Sequence, residues 1–291
     1  MRHSLQAADR RETWRIGEAS VKTGEARKIL LTGGASGIGA ATAKLAVERG
    51  HQVVIADVNF AGAQMVAAQI GGGASAVALD IVSGQQWEQV LDETEHRLGR
   101  LDVLINNAAI VHTGRAENVS IKDHQQTMDV NFMGPLKGMM AALPRFKRQG
   151  RGHFVTVCSM TAFLPFPGIA SYAASKHALR AFHHGLALEE RDTPLRFTII
   201  YPTSTETPML EQEARSDEVA LAFAGPSVTA EFVGTVILDA MDKNSVEVYM
   251  PPERARTVRL VGTNPRSLRK WATAGEETGY QKLQARRAAS K

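Results

Sequence analysis

The chain has 291 residues, of which 44% are hydrophobic and 22% charged, so it holds enough apolar material for a sizeable core and is not disordered throughout. No apolar run approaches the roughly 20 residues of a membrane span, and the N-terminal segment has no apolar signal-peptide core. A single cysteine, Cys158, excludes an internal disulfide, and no spacing of residues resembles a zinc-ligand cluster. We therefore expect a cytoplasmic protein that binds no metal.

The net charge of +4 is distributed unevenly along the chain. Residues 1–28 contain seven Lys and Arg against four Asp and Glu, and residues 253–291 contain ten against three. The body between them is acidic, which argues against nucleic acid as a partner. We interpret 1–27 as a polar basic extension and 253–291 as a basic, solvated tail. Contact of this tail with an anionic membrane surface or a partner subunit is the alternative.

From Lys28 onward, short apolar strands alternate with helical stretches. The pattern predicts strands at Lys28–Thr32, Gln52–Ala56, Ala76–Leu79, Val103–Asn106, Gly152–Ser159, Arg196–Ile200 and Ser245–Tyr249. It predicts helices at Ala40–Arg49, Ala61–Gln69, Gln85–Leu98, Ile121–Arg148 and Ser171–Glu190. This alternation is typical of an α/β fold: a single-domain, Rossmann-like, doubly wound parallel sheet with helices on both faces, filling residues 28–252.

A glycine-rich turn, Thr32-Gly33-Gly34-Ala35-Ser36-Gly37-Ile38-Gly39, joins the first strand to the first helix. Its spacing is G-x-x-x-G-x-G and not the G-x-G-x-x-G of the dinucleotide fingerprint, but both kinds of turn can bind a phosphate group for the same physical reasons. Glycines let the backbone approach a pyrophosphate, and the next helix offers free N–H groups. We expect Gly33 to form the tight turn, Gly37 the close approach and Gly39 the helix–strand packing. The predicted nucleotide contacts here are Gly33, Ser36, Gly37, Ile38 and Gly39. A turn that binds no ligand is the alternative.

The second strand ends in a carboxylate, Asp57, about 20 residues after the glycine turn. An acid at this place accepts hydrogen bonds from the adenosine ribose and repels a 2′-phosphate. One pair of like charges 4 Å apart costs about 4 kcal/mol at an effective dielectric constant of about 20. No Lys or Arg at Ser36, Val58 or Asn59 offsets this cost. The sequence therefore favours NAD over NADP, unless Asp57 is only a strand-end turn residue.

Two further strand ends are predicted to border the cofactor. Asp80 closes the third strand and suits the adenine amino group, with Ile81 supplying the next backbone N–H. A plain helix N-cap is the alternative for Asp80. The fourth strand ends in Asn106-Asn107-Ala108-Ala109, where small residues let the backbone pass close to a ligand. Asn107 and Ala108 are the predicted contacts, although they could only cap and turn the chain.

Three polar residues form a candidate catalytic group. Tyr172 and Lys176 lie four residues apart on one helix face, and Ser159 ends the preceding strand at the edge where such sheets bind ligands. A nearby ammonium would lower the pKa of the tyrosine and favour its phenolate. Tyr172 could then take a proton from an alcohol, while Ser159 holds the substrate oxygen. Lys176 would also hold the nicotinamide ribose.

The motifs T-G-x-x-x-G-x-G and Y-x-x-x-K, in this order and spacing, resemble those of the compact short-chain dehydrogenase/reductase family over residues 28–252. The resemblance implies that Asn131 completes a catalytic tetrad with Ser159, Tyr172 and Lys176. It also implies a homodimer or homotetramer built through the helices near 121–148 and 171–190.

Resemblance to the family also assigns the end of the sixth strand. It implies nicotinamide contacts at Pro202, Thr205 and Thr207. Two signatures of the family differ in this chain. The family's Asn-Asn-Ala-Gly is Asn-Asn-Ala-Ala here, and the family's Pro-Gly is Pro202-Thr203. Neither change removes a catalytic group, but the backbone beside the nicotinamide is expected to differ.

Two apolar segments indicate the substrate. They are Met160–Pro167 and the lid after Pro202, with Met209, Leu210 and 221–223. By resemblance they flank a hydrophobic secondary alcohol or ketone, although ordinary core packing also explains them. The sequence thus predicts an NAD-dependent oxidoreductase acting on a small molecule. The alternatives are a non-enzymatic NAD(H)-binding sensor or scaffold protein and a sugar-nucleotide epimerase or dehydratase.

Overall fold

A computed structural model describes residues 25–289 and contains one seven-stranded sheet. All its strands are parallel, in the order β3-β2-β1-β4-β5-β6-β9. They are β1 (Lys28–Thr32), β2 (Gln52–Asp57), β3 (Ala74–Ala78), β4 (Val103–Asn106), β5 (Gly152–Val157), β6 (Leu195–Pro202) and β9 (Glu247–Met250). A separate parallel pair is formed by β7 (Thr205–Glu206) and β8 (Val228–Thr229). The predicted doubly wound sheet is confirmed.

Helices cover both faces of this sheet. They are α1 (Gly37–Glu48), α2 (Phe60–Ile70), α3 (Gly84–Leu98), α4 (Ile121–Met128), α5 (Gly134–Gln149), α6 (Ala170–Glu189), α7 (Pro208–Glu213), α8 (Ala230–Lys243), α9 (Arg254–Gly262) and α10 (Pro265–Ala289). Side chains of β1 alternate between the two faces, so that Ile29 and Leu31 meet α1 and α8 while Leu30 meets α3 and α5. Within residues 25–289, no helix has the length and apolarity of a membrane span.

The long helix predicted over Ile121–Arg148 is broken by a π-helical turn at Asp129–Met133. Asn131 lies in this turn with its side chain fully buried. Its amide accepts a hydrogen bond from Ile110 N–H (2.8 Å) and donates one to Ile110 O (2.9 Å). A one-residue insertion of this kind turns a side chain that a regular helix would direct elsewhere. A contact with Ile110, in the loop after β4, therefore holds this break in the helix. The spacing of apolar residues in the sequence does not predict such a contact.

The interpretation of 253–291 as a solvated tail is wrong for its described part, residues 253–289. These residues form α9 and α10, and α10 packs on a 3-10 helix at Asp217–Phe223. Leu283 is fully buried there, and Trp271 stacks on Phe166 with ring centroids 5.5 Å apart. Widely spaced apolar residues among many charges are enough to bury one stripe of a helix. Of the N-terminal extension, only residues 25–27 are described.

Leu283→Ala tests whether α10 belongs to the folded core. We expect the free energy of unfolding to fall by about 2–5 kcal/mol, because a fully buried leucine leaves a cavity when it is truncated. Leu260→Ala on α9 is the matched control, since Leu260 is 60% exposed and should change stability by less than about 0.5 kcal/mol. Urea unfolding followed by circular dichroism measures both. Equal effects of the two variants would contradict the packing of α10.

Candidate active site

A cavity of about 1160 Å³ opens at the carboxyl ends of the strands, where the strand order reverses between β1 and β4. Most residues that the sequence singles out share this one cavity. Its wall includes Gly33, Ser36, Gly37, Ile38, Asp57, Asp80, Ile81, Asn107, Ala108, Ser159, Tyr172, Lys176, Pro202, Thr205 and Thr207. Gly39 and Asn131 lie behind the wall rather than on it.

The glycine turn is held directly against the end of β4. The side-chain amide of Asn107 donates hydrogen bonds to Thr32 O (3.0 Å) and Gly33 O (2.9 Å). Gly33 has a φ of +69°, and a Cβ added there would lie 2.6 Å from Ala108 Cα. Only glycine fits this conformation and this spacing. Asn107 therefore fixes the turn, and the small Ala108 lets the two backbones meet.

Gly39 packs α1 onto the glycine turn. A Cβ at this position would lie 2.1 Å from Gly33 O and 2.7 Å from Asn107 Nδ2. Both neighbours are tied into the hydrogen bonds that shape the turn, so they have no free direction in which to move.

Gly39→Ala is expected to weaken NADH binding by at least about tenfold and to cost about 1–3 kcal/mol of stability through overpacking. Gly185→Ala is the control, because Gly185 lies within α6 and an added Cβ meets nothing within 4 Å. That variant should gain about 0.5–1 kcal/mol. Fluorescence titration with NADH and urea unfolding report the two quantities. Unchanged NADH affinity in Gly39→Ala would refute the assigned role.

The N-terminus of α1 and the end of β2 form the next part of the wall. Ser36 is the N-cap of α1, yet its side chain makes no capping hydrogen bond, and no acidic residue lies in the first turn. Free N–H groups there suit an anion. Asp57 accepts hydrogen bonds from Ala35 N–H and Asn59 N–H, both 2.9 Å long. These bonds hold one carboxylate at the cavity edge, beside the N-terminus of α1.

Asp80 is not the N-cap of α3, so the cap interpretation is wrong. Ser83 is that N-cap and accepts a hydrogen bond from Gln86 N–H. Asp80 instead accepts one from Val82 N–H (2.9 Å) within a tight turn on the cavity wall. Ile81 is buried beside it, and its carbonyl accepts the Trp87 indole N–H (2.9 Å).

Ser159, Tyr172 and Lys176 meet at the inner end of the cavity. β5 ends at Val157, two residues earlier than predicted, and Ser159 caps a short 3-10 helix by accepting Thr161 N–H (3.1 Å). The Tyr172 hydroxyl lies close enough to Ser159 for the serine to lower its pKa. Lys176 Nζ lies 5.5 Å from the centroid of the Tyr172 ring and donates to Val157 O (3.2 Å).

The predicted lowering of the tyrosine pKa by Lys176 is wrong in this structure. Burial raises the pKa of Tyr172 above its ordinary value, the carboxyl of Glu213 raises it further, and the hydrogen bond to Ser159 opposes both. Burial likewise lowers the pKa of Lys176. Burial is the largest cause of both shifts, because it disfavours the charged form of each group.

Asn131 links the catalytic helix to the loop after β4. Besides its two bonds to Ile110, its amide donates to Ser175 Oγ (3.2 Å) on α6. Ser175 Oγ in turn donates to Tyr172 O (2.7 Å). Asn131 thus contacts the neighbour of Lys176 in sequence and supports the cavity wall from behind.

Thr203 stands where the family has a glycine, and β9 and α9 accommodate it. Thr203 N–H donates to Met250 O (3.1 Å), and Thr203 Oγ1 accepts from Arg254 Nη1 on α9 (2.9 Å). Its φ is not positive, so the threonine is not strained. Thr207 caps α7 by accepting Leu210 N–H, and Thr205 Oγ1 donates to Thr203 O.

The remaining wall is largely apolar, as expected for a hydrophobic substrate. Of the predicted substrate residues, the wall includes Met160, Thr161, Leu164, Phe166, Met209, Leu210, Leu221 and Ala222. Phe163 and Phe223 instead lie in apolar clusters behind it. Sequence reasoning missed Trp271, Arg254 and Glu213, which also line the cavity. A helical spacing of apolar residues around Trp271 was a usable signal, whereas nothing in the sequence marks Glu213.

The sheet topology, with a cavity at its switch point, is that of a Rossmann-type fold of the kind that binds dinucleotides. A sequence model described as short chain dehydrogenase matches residues 27–218. The chain belongs to the short-chain dehydrogenase family.

Relatives and solved structures agree with this assignment. A 3-beta-hydroxysteroid dehydrogenase of Comamonas testosteroni is 32% identical, over 84% of this chain and 91% of that protein. A 2,5-dichloro-2,5-cyclohexadiene-1,4-diol dehydrogenase of Sphingobium indicum is 37% identical, over 62% of this chain and 73% of that protein. The 3-ketoacyl-(acyl-carrier-protein) reductase of Brucella melitensis, complexed with NADH, superposes with a TM-score of 0.70 at 28% identity, covering 76% of this chain and 94% of that one.

Proposed function

We propose that the protein is an NAD-dependent oxidoreductase that interconverts a hydrophobic secondary alcohol and its ketone by hydride transfer, with Tyr172 as general acid and base. The observation that carries the proposal is the placement of Ser159, Tyr172 and Lys176 on the same cavity as the glycine turn and Asp57. Neither group of residues alone implies this reaction. Together they support a proton-transfer group beside a dinucleotide site.

The residues present fit the cofactor. An ammonium has three donors, and within residues 25–289 Lys176 uses one, toward Val157 O, so two can serve ribose hydroxyls. The α1 N-terminus suits the pyrophosphate, and Asp57 suits ribose hydroxyls rather than a 2′-phosphate. NAD, when bound, supplies the hydride acceptor. Further contacts are proposed at Asp80, Ile81, Asn107, Ala108, Pro202, Thr205 and Thr207, all on the wall.

The chain's own groups move the proton. Ser159 Oγ holds the substrate oxygen through a hydrogen bond. In ketone reduction the protonated Tyr172 Oη gives its proton to the substrate oxygen as hydride reaches the carbonyl carbon, and in alcohol oxidation the phenolate form of Tyr172 receives the alcohol proton as the C–H electron pair leaves as hydride. The raised pKa keeps Tyr172 protonated at neutral pH, which is the form that ketone reduction requires. Asn131 completes the tetrad by positioning the loop and helix that carry these groups.

The substrate class follows from the apolar wall and from the relatives. Relatives are named for hydroxysteroids and for a chlorinated cyclohexadiene diol. We infer that this protein also acts on an alicyclic secondary alcohol. An extended branch with a separate substrate domain is not supported, since α7, α9 and α10 close the same cavity.

We also propose a cytoplasmic homodimer or homotetramer that associates through α4–α5 and α6. Large apolar side chains are exposed on two of these helices, Ile121 on α4 (82%) and Leu188 on α6 (66%). The C-terminal arginines give less support to a membrane partner. Arg286 binds Glu206 and Glu211, and Arg287 binds Asp217, so these charges serve the fold itself.

Steady-state oxidation of a panel of secondary alcohols tests the proposal, with NAD and NADP in parallel. The panel holds cyclohexanols, aryl carbinols and 3-hydroxysteroids, and NADH formation is followed by absorbance. Turnover with NAD on at least one alicyclic alcohol is the expected result. NADH binding without any turnover would favour the non-enzymatic sensor, and preference for NADP would contradict the assignment of Asp57.

A further inference from the structure

The mechanism above does not use every ionisable side chain on the cavity wall, and Glu213 is one that it leaves out. Glu213 is the last residue of α7, is only 9% exposed, and lines the cavity with Tyr172 and Leu210. Met209 and Leu210 of the same helix and Ala214 after it belong to an apolar cluster with Val111 and Ile169. A carboxyl group in such surroundings is costly unless something pairs with it.

Glu211 and Gln212, which precede Glu213 in sequence, both have partners. Glu211 binds Arg286, and the Gln212 amide donates to Val111 O (2.9 Å). Among residues 25–289, nothing forms a hydrogen bond or an ion pair with the Glu213 carboxyl. It is a buried, unpartnered acid that faces a space large enough for a ligand.

The carboxyl also lies within electrostatic reach of the reaction centre. Its charge raises the pKa of Tyr172, although the two groups are not hydrogen-bonded to each other. Burial alone raises the pKa of Glu213 to about 7. Glu213 and Tyr172 therefore line one cavity, close enough for the charge of the carboxyl to act on the hydroxyl that handles the proton.

We propose that Glu213 is the specificity-determining residue of this site and binds a second hydroxyl group of the substrate, so that the preferred substrates are diols rather than simple alcohols. The inference rests on the proposed function and adds a substrate class to it. The first hydroxyl meets Ser159 and Tyr172, and the second meets Glu213 on the lid. Binding of such a diol gives the buried carboxyl the partner that the protein does not provide.

A hydroxyl suits Glu213 better than an ammonium group does. With a pKa near 7 the carboxyl exists in both protonation states at neutral pH, and a hydroxyl can donate to one form and accept from the other. An ammonium group pairs with the ionised form alone. The rest of the substrate wall, with Leu164, Phe166 and Leu221, suits a neutral apolar skeleton.

Binding measurements test this independently of turnover. Titration calorimetry on the full chain carrying Tyr172→Phe, with and without NAD, compares cyclohexanol with the 1,2-, 1,3- and 1,4-cyclohexanediols. It also compares 5α-androstan-3-ol with 5α-androstane-3,17-diol. Each pair is repeated with Glu213→Leu, which removes hydrogen bonding, and with Glu213→Gln, which keeps it. Glu218→Leu changes an exposed carboxylate near the same lid and serves as the matched control.

With Glu213 intact, we expect at least one diol to bind about tenfold or more tightly than its mono-alcohol, as one hydrogen bond to a buried acid provides. Glu213→Leu should bring the ratio of diol affinity to mono-alcohol affinity close to one without weakening the binding of the mono-alcohol. Glu213→Gln and Glu218→Leu should keep most of the preference for the diol. A diol preference that is absent, or that persists in Glu213→Leu, overturns the proposal. Tighter binding of 4-aminocyclohexanol than of the diol also overturns it. Absence of alcohol turnover in the unmodified protein counts against the proposed function instead.

Discussion

Replacing Tyr172 with phenylalanine is expected to lower kcat for alcohol oxidation by at least about 10³-fold, within the range that general acid–base groups contribute. The change removes only the hydroxyl oxygen, and the ring keeps its packing beside Met209 and Ile169. Ser159 still caps its short helix through Thr161 N–H, so the site keeps its shape. The loss should therefore be one of chemistry rather than of folding.

Cofactor binding separates this loss from general damage to the site. NADH affinity of Tyr172→Phe should stay within about twofold of the unmodified protein, because the glycine turn and Asp57 are untouched. Tyr280→Phe, a change at a 44% exposed tyrosine of α10, should leave kcat unaltered. A Tyr172→Phe variant that retains more than a tenth of the original kcat would exclude Tyr172 as the proton-transfer group.

The parts of the fold that sequence could predict are those set by local patterns. Strands β1 and β4 were placed with the bounds that the structure has, because a short apolar run between turn residues identifies a buried parallel strand. The glycine turn was located because its backbone conformation admits few other residues, as Gly33 and Gly37 show with positive φ. Such signals do not depend on distant neighbours.

The parts that sequence could not predict depend on contacts between elements. The π-helical turn at Asn131 exists because Ile110, 21 residues away, binds its amide. The direction of the Tyr172 pKa shift depends on how deeply the folded protein buries the tyrosine and on the carboxyl of Glu213. Glu211 and Glu213 read alike in the sequence, yet Arg286 of α10 binds the first and nothing described binds the second.

Asp57→Asn is expected to change cofactor preference more than any other single substitution on the cavity wall. The carboxylate accepts two backbone hydrogen bonds, from Ala35 and Asn59, and asparagine can still accept one of them through its carbonyl oxygen. What disappears is the negative charge. A like-charge pair at 4 Å costs about 4 kcal/mol before ionic screening, so the ratio of kcat/KM for NAD over NADP should fall by about 10²-fold.

The second carboxylate of the dinucleotide site provides the matched control. Asp80→Asn removes the same charge at the proposed adenine position, away from the ribose, and should weaken NAD and NADP alike, leaving their ratio within about threefold of the original. A ratio that changes equally in both variants would mean that overall negative charge, rather than the position of Asp57, selects the cofactor. A ratio unchanged in Asp57→Asn would place discrimination in the backbone after β2, because no charge would then oppose a 2′-phosphate.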